Sequence, residues 1–308
     1  ASNLSAFWIL VANSFMQNPE GYTILENGRA AMTNLGALIT NYYVWGQFPH
    51  TILSGFATGA FFMIGISVYH LLKKPASEGF KYSLRLASIF GILAVIGVGL
   101  VGDLQAKRMI QTQPMKMAAA ESMIESEDPA SLSLFTITDQ YQLRNIVDIR
   151  IPYLASFLSY SRFSGEVQGV RPLQDQYWKQ YGPGYYIPPI MINYWSFRIM
   201  VGIGLLMFAI SAGMLFYSIT NRNVPSTIKL GKLMIPIGGV LPLVAILPYF
   251  ATSTGWILTE MGRQPWIVVG LLTTRDAISP TLSPGMVLTS LIGFLLIYGI
   301  LMAVDVYL

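Results

Sequence analysis

The chain has 308 residues, of which 53% are hydrophobic and only 11% charged, with a net charge of +4. A soluble domain carries about 25% charged residues, so a soluble globular enzyme is excluded, and the long apolar blocks together with a mean hydropathy of +0.52 point to a helical membrane protein. The absence of Cys excludes disulfides, Cys-ligated iron–sulfur clusters, thiolate zinc sites and covalent c-type haem, which leaves His, Met and Glu as redox ligands; the mild positive charge reads as loop bias, not nucleic-acid binding.

Residues 4–16 (LSAFWILVANSFM) are apolar but fall short of the ~20 residues a crossing helix needs. No basic region precedes them and no clear cleavage site follows, so they read as the tail of a helix and not as a signal peptide. The chain is therefore expected to be part of a longer polypeptide. Residues 34–46, interrupted by Asn41 and Gly46, read as a short interfacial helix with an aromatic belt of Tyr42, Tyr43 and Trp45. Full spans are expected over 47–72 and 84–103, then a polar stretch over 104–190, then spans over 194–219, 233–259 and 286–307. The expected fold is all-α: a polytopic transmembrane helix bundle with a long extracytoplasmic loop. It falls into residues 1–103, the loop 104–190, and residues 191–308.

Loop charge sets the expected orientation. Lys73, Lys74, Lys81 and Arg85 stand against Glu78 after the first full span, and Arg222, Lys229 and Lys232 follow the 194–219 span without an acid. Both loops lie on one side, which the excess of Lys and Arg makes cytoplasmic. The 104–190 stretch then lies outside. It carries Glu125, Glu127 and Asp128, several aromatics and the run YGPGYYIPP. Unstructured loops of that length are uncommon unless functional or disordered, so it is either a mobile tether or a lid over a site at the outer face.

His50 and His70 share one span and are separated by about 30 Å of helix, so they cannot bind one metal. Ser54, Ala57 and Thr58 follow His50 on its face, with Gly55 and Gly59 beside them. Such small residues leave room for a flat macrocycle, or they serve close helix packing. His70 reads as an interfacial polar residue. Met200, with Gly204 one turn deeper, matches His50 in depth. An axial His/Met pair on two neighbouring spans is thus possible, ligation that suits electron transfer; Met as core filler is the plain alternative. Arg198 is close enough to neutralise propionates.

In GWILTEMGRQPW (255–266), Trp256 lies one turn before Glu260 and Arg263 one turn after, and Pro265 stops the helix. Pro236, Pro242 and Pro248 break backbone bonds that protein, not lipid, must satisfy. A buried cofactor site fits these groups better than an interfacial anchor. In GDLQAKRMIQTQPMKMAAAE (102–121), Lys116 and Glu121 are five apart in an Ala-rich segment that favours helix. The Glu could accept a hydroquinone proton and the Lys could hold its oxygen; by composition alone this is a solvated charged helix.

GRQPW, YWSFRIMVG, FPHTILSG and the QPMKMAAAE loop together resemble subunit I of the cytochrome bd quinol oxidases, in the family's order and over essentially the whole chain. The resemblance implies a helical bundle of the bacterial cell (inner) membrane that carries low-spin haem b, high-spin haem b and haem d. Such a protein oxidises quinol on an extracytoplasmic loop and reduces dioxygen to water without pumping protons. It implies His50 and Met200 as iron ligands of the low-spin haem, with Arg198 beside it. Glu260 is implied as iron ligand of the high-spin haem, with Trp256 and Arg263 in its pocket, and Lys116 and Glu121 as the quinol-site pair. Expected partners are quinol, dioxygen, a second membrane subunit (subunit II), small single-helix subunits and the lipid bilayer, with no nucleic acid. The family's preceding helices, which carry the haem d histidine and the acids of a proton route, have no counterpart here. Two rivals are a single-haem cytochrome b membrane anchor of a quinol dehydrogenase, and a transporter whose proline-broken 233–259 span lines a path.

Overall fold

The computed structural model describes residues 2–220, 222, 224, 226–230, 233–236, 238–279 and 281–307. Among them, five helical stretches are long and apolar enough to cross a membrane: Leu35–Lys73, Glu78–Thr112, Ile190–Ile219, Leu241–Met261 and Pro284–Tyr307. The chain is a multi-pass membrane protein, and mostly helical.

Helix α1 (Ser2–Gln17) leads through a small hairpin, β1 (Tyr22–Ile24) with β2 (Ala30–Met32), to α2 (Leu35–Ile39). The expected 34–46 interfacial helix divides here. The Asn41 side chain accepts from the Tyr43 amide and starts a new helix, α3 (Tyr42–Lys73), because an Asn at a helix start satisfies a free N–H. Tyr42, Tyr43 and Trp45 thus belong to the long crossing helix. Helix α4 (Glu78–Thr112) runs nine residues past the boundary expected at 103. It ends where Pro114 forces Gln113 out of helical geometry (φ −137°, ψ 61°). Pro114 then opens a short helix, α5 (Pro114–Ala120), which suits a residue with no N–H to leave unbonded.

The segment expected as a long loop, either a mobile tether or a lid, carries regular structure of its own, including a hairpin in an otherwise mostly helical chain. Strands β3 (Leu132–Asp139) and β4 (Arg144–Ile151) pair antiparallel, followed by α6 (Leu154–Tyr160) and α7 (Val170–Tyr181). These pack on α5: Met115, Ala118 and Ala119 meet Val170, Leu173 and Trp266 on one side, and Met117 meets Met123, Ala155 and Val167 on the other. The chain re-enters the bundle with α8 (Ile190–Ile219).

The span expected over 233–259 is shorter. Strands β5 (Thr227–Leu230) and β6 (Leu233–Pro236) form a hairpin. The helical stretch begins only with a 3₁₀ turn at Leu241–Ile246, leading into α9 (Leu247–Met261). Pro236 ends the strand and Gly238–Gly239 follow, residues that disfavour helix. Of the basic residues placed there, Lys229 falls on β5 and Arg222 is exposed, while Lys232 lies outside the described residues. A last hairpin, β7 (Trp266–Val268) with β8 (Leu272–Thr273), precedes α10 (Pro284–Tyr307), which buries none of its residues.

Four crossing elements form a ring: α3 packs on α4, α4 on α8, α8 on α9, and the 3₁₀ turn with α9 closes onto α3. At the end away from the extramembrane fold, Phe61, Ile64 and Val68 of α3 interlock with Leu84 and Ala87 of α4, Met214 of α8, and Leu241 and Val244 of the 3₁₀ turn. That core stops at Ala57, Ala94 and Met207. The half nearer the extramembrane fold holds His50 and Met200 instead.

Candidate haem and quinol site

His50 follows Pro49 within α3 and turns toward α4. Its Cε1 lies 3.4 Å from where a Cβ on Gly102 would stand, and its Nδ1 is buried without a hydrogen-bond partner. Met200 of α8 turns toward α9 in the same manner, its Sδ 3.0 Å from the position of a Cβ on Gly255. Each candidate ligand is thus nested on a glycine of an adjoining helix. The helices that carry them are not neighbours as expected: α4 lies between α3 and α8 on one side of the ring and α9 on the other. Gly55, Gly99, Gly202 and Gly204 have open space where a Cβ would be.

Helix α5 lies over this half of the ring and is buried along its length from Met115 to Ala120. Glu121 caps it and is 1% exposed. Its carboxylate receives both arms of the Arg198 guanidinium, Nη2 to Oε2 at 2.6 Å and Nη1 to Oε1 at 3.3 Å. Arg198 also donates to the Ser133 carbonyl from Nε at 2.9 Å and Nη2 at 2.7 Å, and its guanidinium lies 4.7 Å from the Tyr194 ring centre. Burial pushes the Glu121 carboxyl upward, against the opposing pull of Arg198 and of Arg150.

Lys116, on the same short helix, faces elsewhere. It is 6% exposed and donates to the Thr259 carbonyl of α9 at 3.0 Å and to Gln17 Oε1 of α1 at 3.3 Å. Burial first, and the Arg263 charge second, lower its ammonium to about 7, with Glu260 opposing them. Glu260 accepts from Asn13 Nδ2 at 2.9 Å and pairs with Arg263. Arg263 is 7% exposed, with Nε and Nη1 buried and unpartnered, whereas the Glu260 side chain is 40% exposed. Trp256, one turn before Glu260, is half-exposed on α9.

Seven of the eight candidate residues fall into three groups, with Trp256 standing apart on the α9 surface. His50 and Met200 flank the ring, Glu121 pairs with Arg198, and Lys116 joins Glu260 and Arg263. Lys116 and Glu121, expected as a quinol-site pair, turn from α5 to different partners, Thr259 of α9 and Arg198 of α8. Asn13, Ser14 and Gln17 form a buried polar stripe near the end of α1, and Gln47 and Gln113 bind to it; none of the five was expected from the sequence. Spacing of one and four residues along α1 is the signal that would have marked that stripe. Beside α5, a cleft of about 490 Å³ opens between Ile110, Pro114, Met117, Tyr160 and residues 166–168.

Among the described residues, no three His, Asp or Glu side chains converge to hold a metal ion. Single donors at separate places, one imidazole with a free Nδ1, one thioether and one carboxylate, suit an iron whose other positions a macrocycle supplies. Comparison with known proteins decides the matter: the model of the cytochrome bd terminal oxidase subunit I family matches residues 1–308. The chain belongs to that family. It is 47% identical to the cytochrome bd ubiquinol oxidase subunit 1 of Bacillus subtilis (strain 168), over 99% of this chain and 64% of that relative. It is 29% identical to the cytochrome bd-II ubiquinol oxidase subunit 1 of Escherichia coli (strain K12), over 100% of this chain and 69% of that one. The solved bd oxidase from Geobacillus thermodenitrificans superposes with a TM-score of 0.80 at 27% identity, over 99% of this chain and 66% of that one. The chain thus spans a little under two thirds of the first of these relatives. Membership of the family implies haem as the cofactor, and the isolated donors described above fit it.

Proposed function

We propose that this chain is the haem-bearing core of a quinol:dioxygen oxidoreductase, one that oxidises quinol at the extracytoplasmic face of a bacterial cell membrane and reduces dioxygen to water without pumping protons. The observation that carries this reading is α5: one buried helix places Glu121 against α8 and Lys116 against the Glu260 end of α9. A substrate site on the folded segment is thereby tied to both candidate iron sites.

His50 and Met200 would hold low-spin haem b. Glu260, with Trp256 and Arg263 around it, would hold high-spin haem b, and haem d would complete the set. When bound, the haems supply one-electron transfer and a place for dioxygen to be reduced. The chain's own residues do the rest. Glu121, held by Arg198, takes a proton from the quinol hydroxyl, and Lys116 fixes α5 against α9. Gly255 leaves room for the Met200 thioether, and Gly102 gives the His50 ring a flat surface to rest on. Lys73, Lys74 and Arg85 sit at the end of the bundle opposite the folded segment, which supports an extracytoplasmic position for that segment. A second membrane subunit, small single-helix subunits and the surrounding bilayer complete the assembly.

A reduced-minus-oxidised spectrum of the purified complex, taken with its quinol-dependent dioxygen uptake, tests this. Two b-type signals, a d-type signal and dioxygen uptake are expected. A single low-spin signal without uptake would leave the dehydrogenase anchor, and no haem at all would leave the transporter.

A further inference from the structure

A buried file of hydroxyls leads away from the Glu121–Arg198 pair, and the reading above leaves it unused. Tyr194 OH lies 3.0 Å from Ser133 Oγ, which lies 2.5 Å from Thr136 Oγ1, and Thr136 donates to Asp148 Oδ1 at 2.8 Å. Tyr194, Ser133 and Thr136 are all 0% exposed, whereas Asp148 is exposed. Ser133 and Thr136 are three apart on β3, and regular alternation would point them to opposite faces. A register shift between Ser133 and Phe135 inserts the extra residue that brings both hydroxyls to one side.

The file has a direction. A hydroxyl has one proton to donate, and a carboxylate has none. Asp148, which also accepts from Arg150 Nε at 2.8 Å and from Asn145 Nδ2 at 2.7 Å, can only accept from Thr136. Thr136 must then accept from Ser133, and Ser133 from Tyr194. Every proton points outward, toward water. The inner end abuts the acid: the Ser133 amide faces the Glu121 carboxylate, the Ser133 carbonyl takes Arg198, and Arg198 covers the Tyr194 ring. Among the described residues the Tyr194 oxygen has no hydrogen-bond partner but Ser133.

We propose that Tyr194, Ser133, Thr136 and Asp148 form an outward proton relay from the Glu121 site to the aqueous face. The proposal rests on the reading of Glu121 given above. Quinol oxidation releases two electrons, which a bound haem would accept, and two protons, which leave one at a time. A proton reaching the Tyr194 oxygen displaces the phenolic proton to Ser133, that of Ser133 to Thr136, and that of Thr136 to Asp148. Each hydroxyl ends neutral with one hydrogen, and Asp148, now a carboxylic acid, gives its proton to water. The hydroxyls then turn back to their starting direction.

The test uses the complete purified complex with ubiquinol-1 in H2O and D2O. Thr136→Val keeps the shape and cuts the file. It is expected to lower kcat at least about tenfold with KM held within about twofold, and to raise the solvent isotope effect, as for a lost proton-transfer group. Haem spectra stay unchanged, Thr136→Ser restores the rate, and Asp148→Asn behaves as Thr136→Val does. Parent rate and isotope effect in Thr136→Val, or a Thr136→Ser variant as slow as Thr136→Val, would overturn the relay. If Thr136→Val does not fold, Asp148→Asn on the exposed strand decides by the same two readouts. Glu121→Gln separates the levels. If it leaves quinol oxidation at the parent rate, the reading of Glu121 and the relay fall together. If it slows oxidation while Thr136→Val and Asp148→Asn do not, the relay alone falls.

Discussion

Two Glu–Arg pairs flank the half of the ring nearer the extramembrane fold, and they are built as opposites. In Glu121–Arg198 the acid is the closed partner, 1% exposed and gripped at both oxygens. In Glu260–Arg263 the guanidinium is buried and the acid is 40% exposed, with a single amide as its other partner. The same two residue types thus give one carboxylate fixed in place and one with coordination to spare. Only the second suits a ligand that must reach an iron, and the first suits a group that holds or passes a proton at a fixed point.

The sharpest way to break this contrast is to remove the clamp from the closed acid. Arg198→Leu leaves Glu121 buried without its paired guanidinium, with only the Arg150 charge nearby, and breaking a buried pair in this way destabilises by about 3–5 kcal/mol; the thermal midpoint of the detergent-solubilised protein should fall accordingly, and Arg198→Lys, which cannot bind both oxygens, should recover only part of it. Glu121→Gln keeps the shape and removes the base. Quinol oxidation is expected to slow by about a hundredfold or more, at unchanged haem content. At the open acid, Glu260→Gln is expected to abolish the high-spin b signal while the low-spin signal persists, read from the reduced spectrum. Met200→Leu should do the converse, turning the low-spin band high-spin with haem retained.

The smallest effect concerns Lys116. Its ammonium is lowered to about 7 by burial, below the unfolded value of about 10.4. Between those values the unfolded chain holds a proton that the folded one has released, so stability rises with pH over that window. Below it both states are protonated and the cost of the buried charge is felt in full. Lys116→Met is expected to flatten the rise in thermal midpoint between about pH 7 and pH 10; a parallel rise in the variant would assign it to other groups.

What the sequence disclosed follows from the range of each signal. The spans were legible because some twenty apolar residues in a row have few alternatives in a bilayer, and the short α5 because Pro114 and three Ala residues set it locally. The start of the 233–259 block was misread because hydropathy does not register Gly238 and Gly239 as helix breakers. The β3–β4 hairpin was missed because its pattern is interrupted by a bulge and half of its strands is polar. That Arg198 grips Glu121 was not legible, because the two lie 77 residues apart. Motif matching named both residues, but nothing local says that they meet.

The short α5 also limits how the folded segment can move. Seven residues of helix measure about 10 Å, and both ends are stapled to different membrane helices by charged side chains. The cap above the bundle therefore cannot lift away as a whole without tearing one staple or the other.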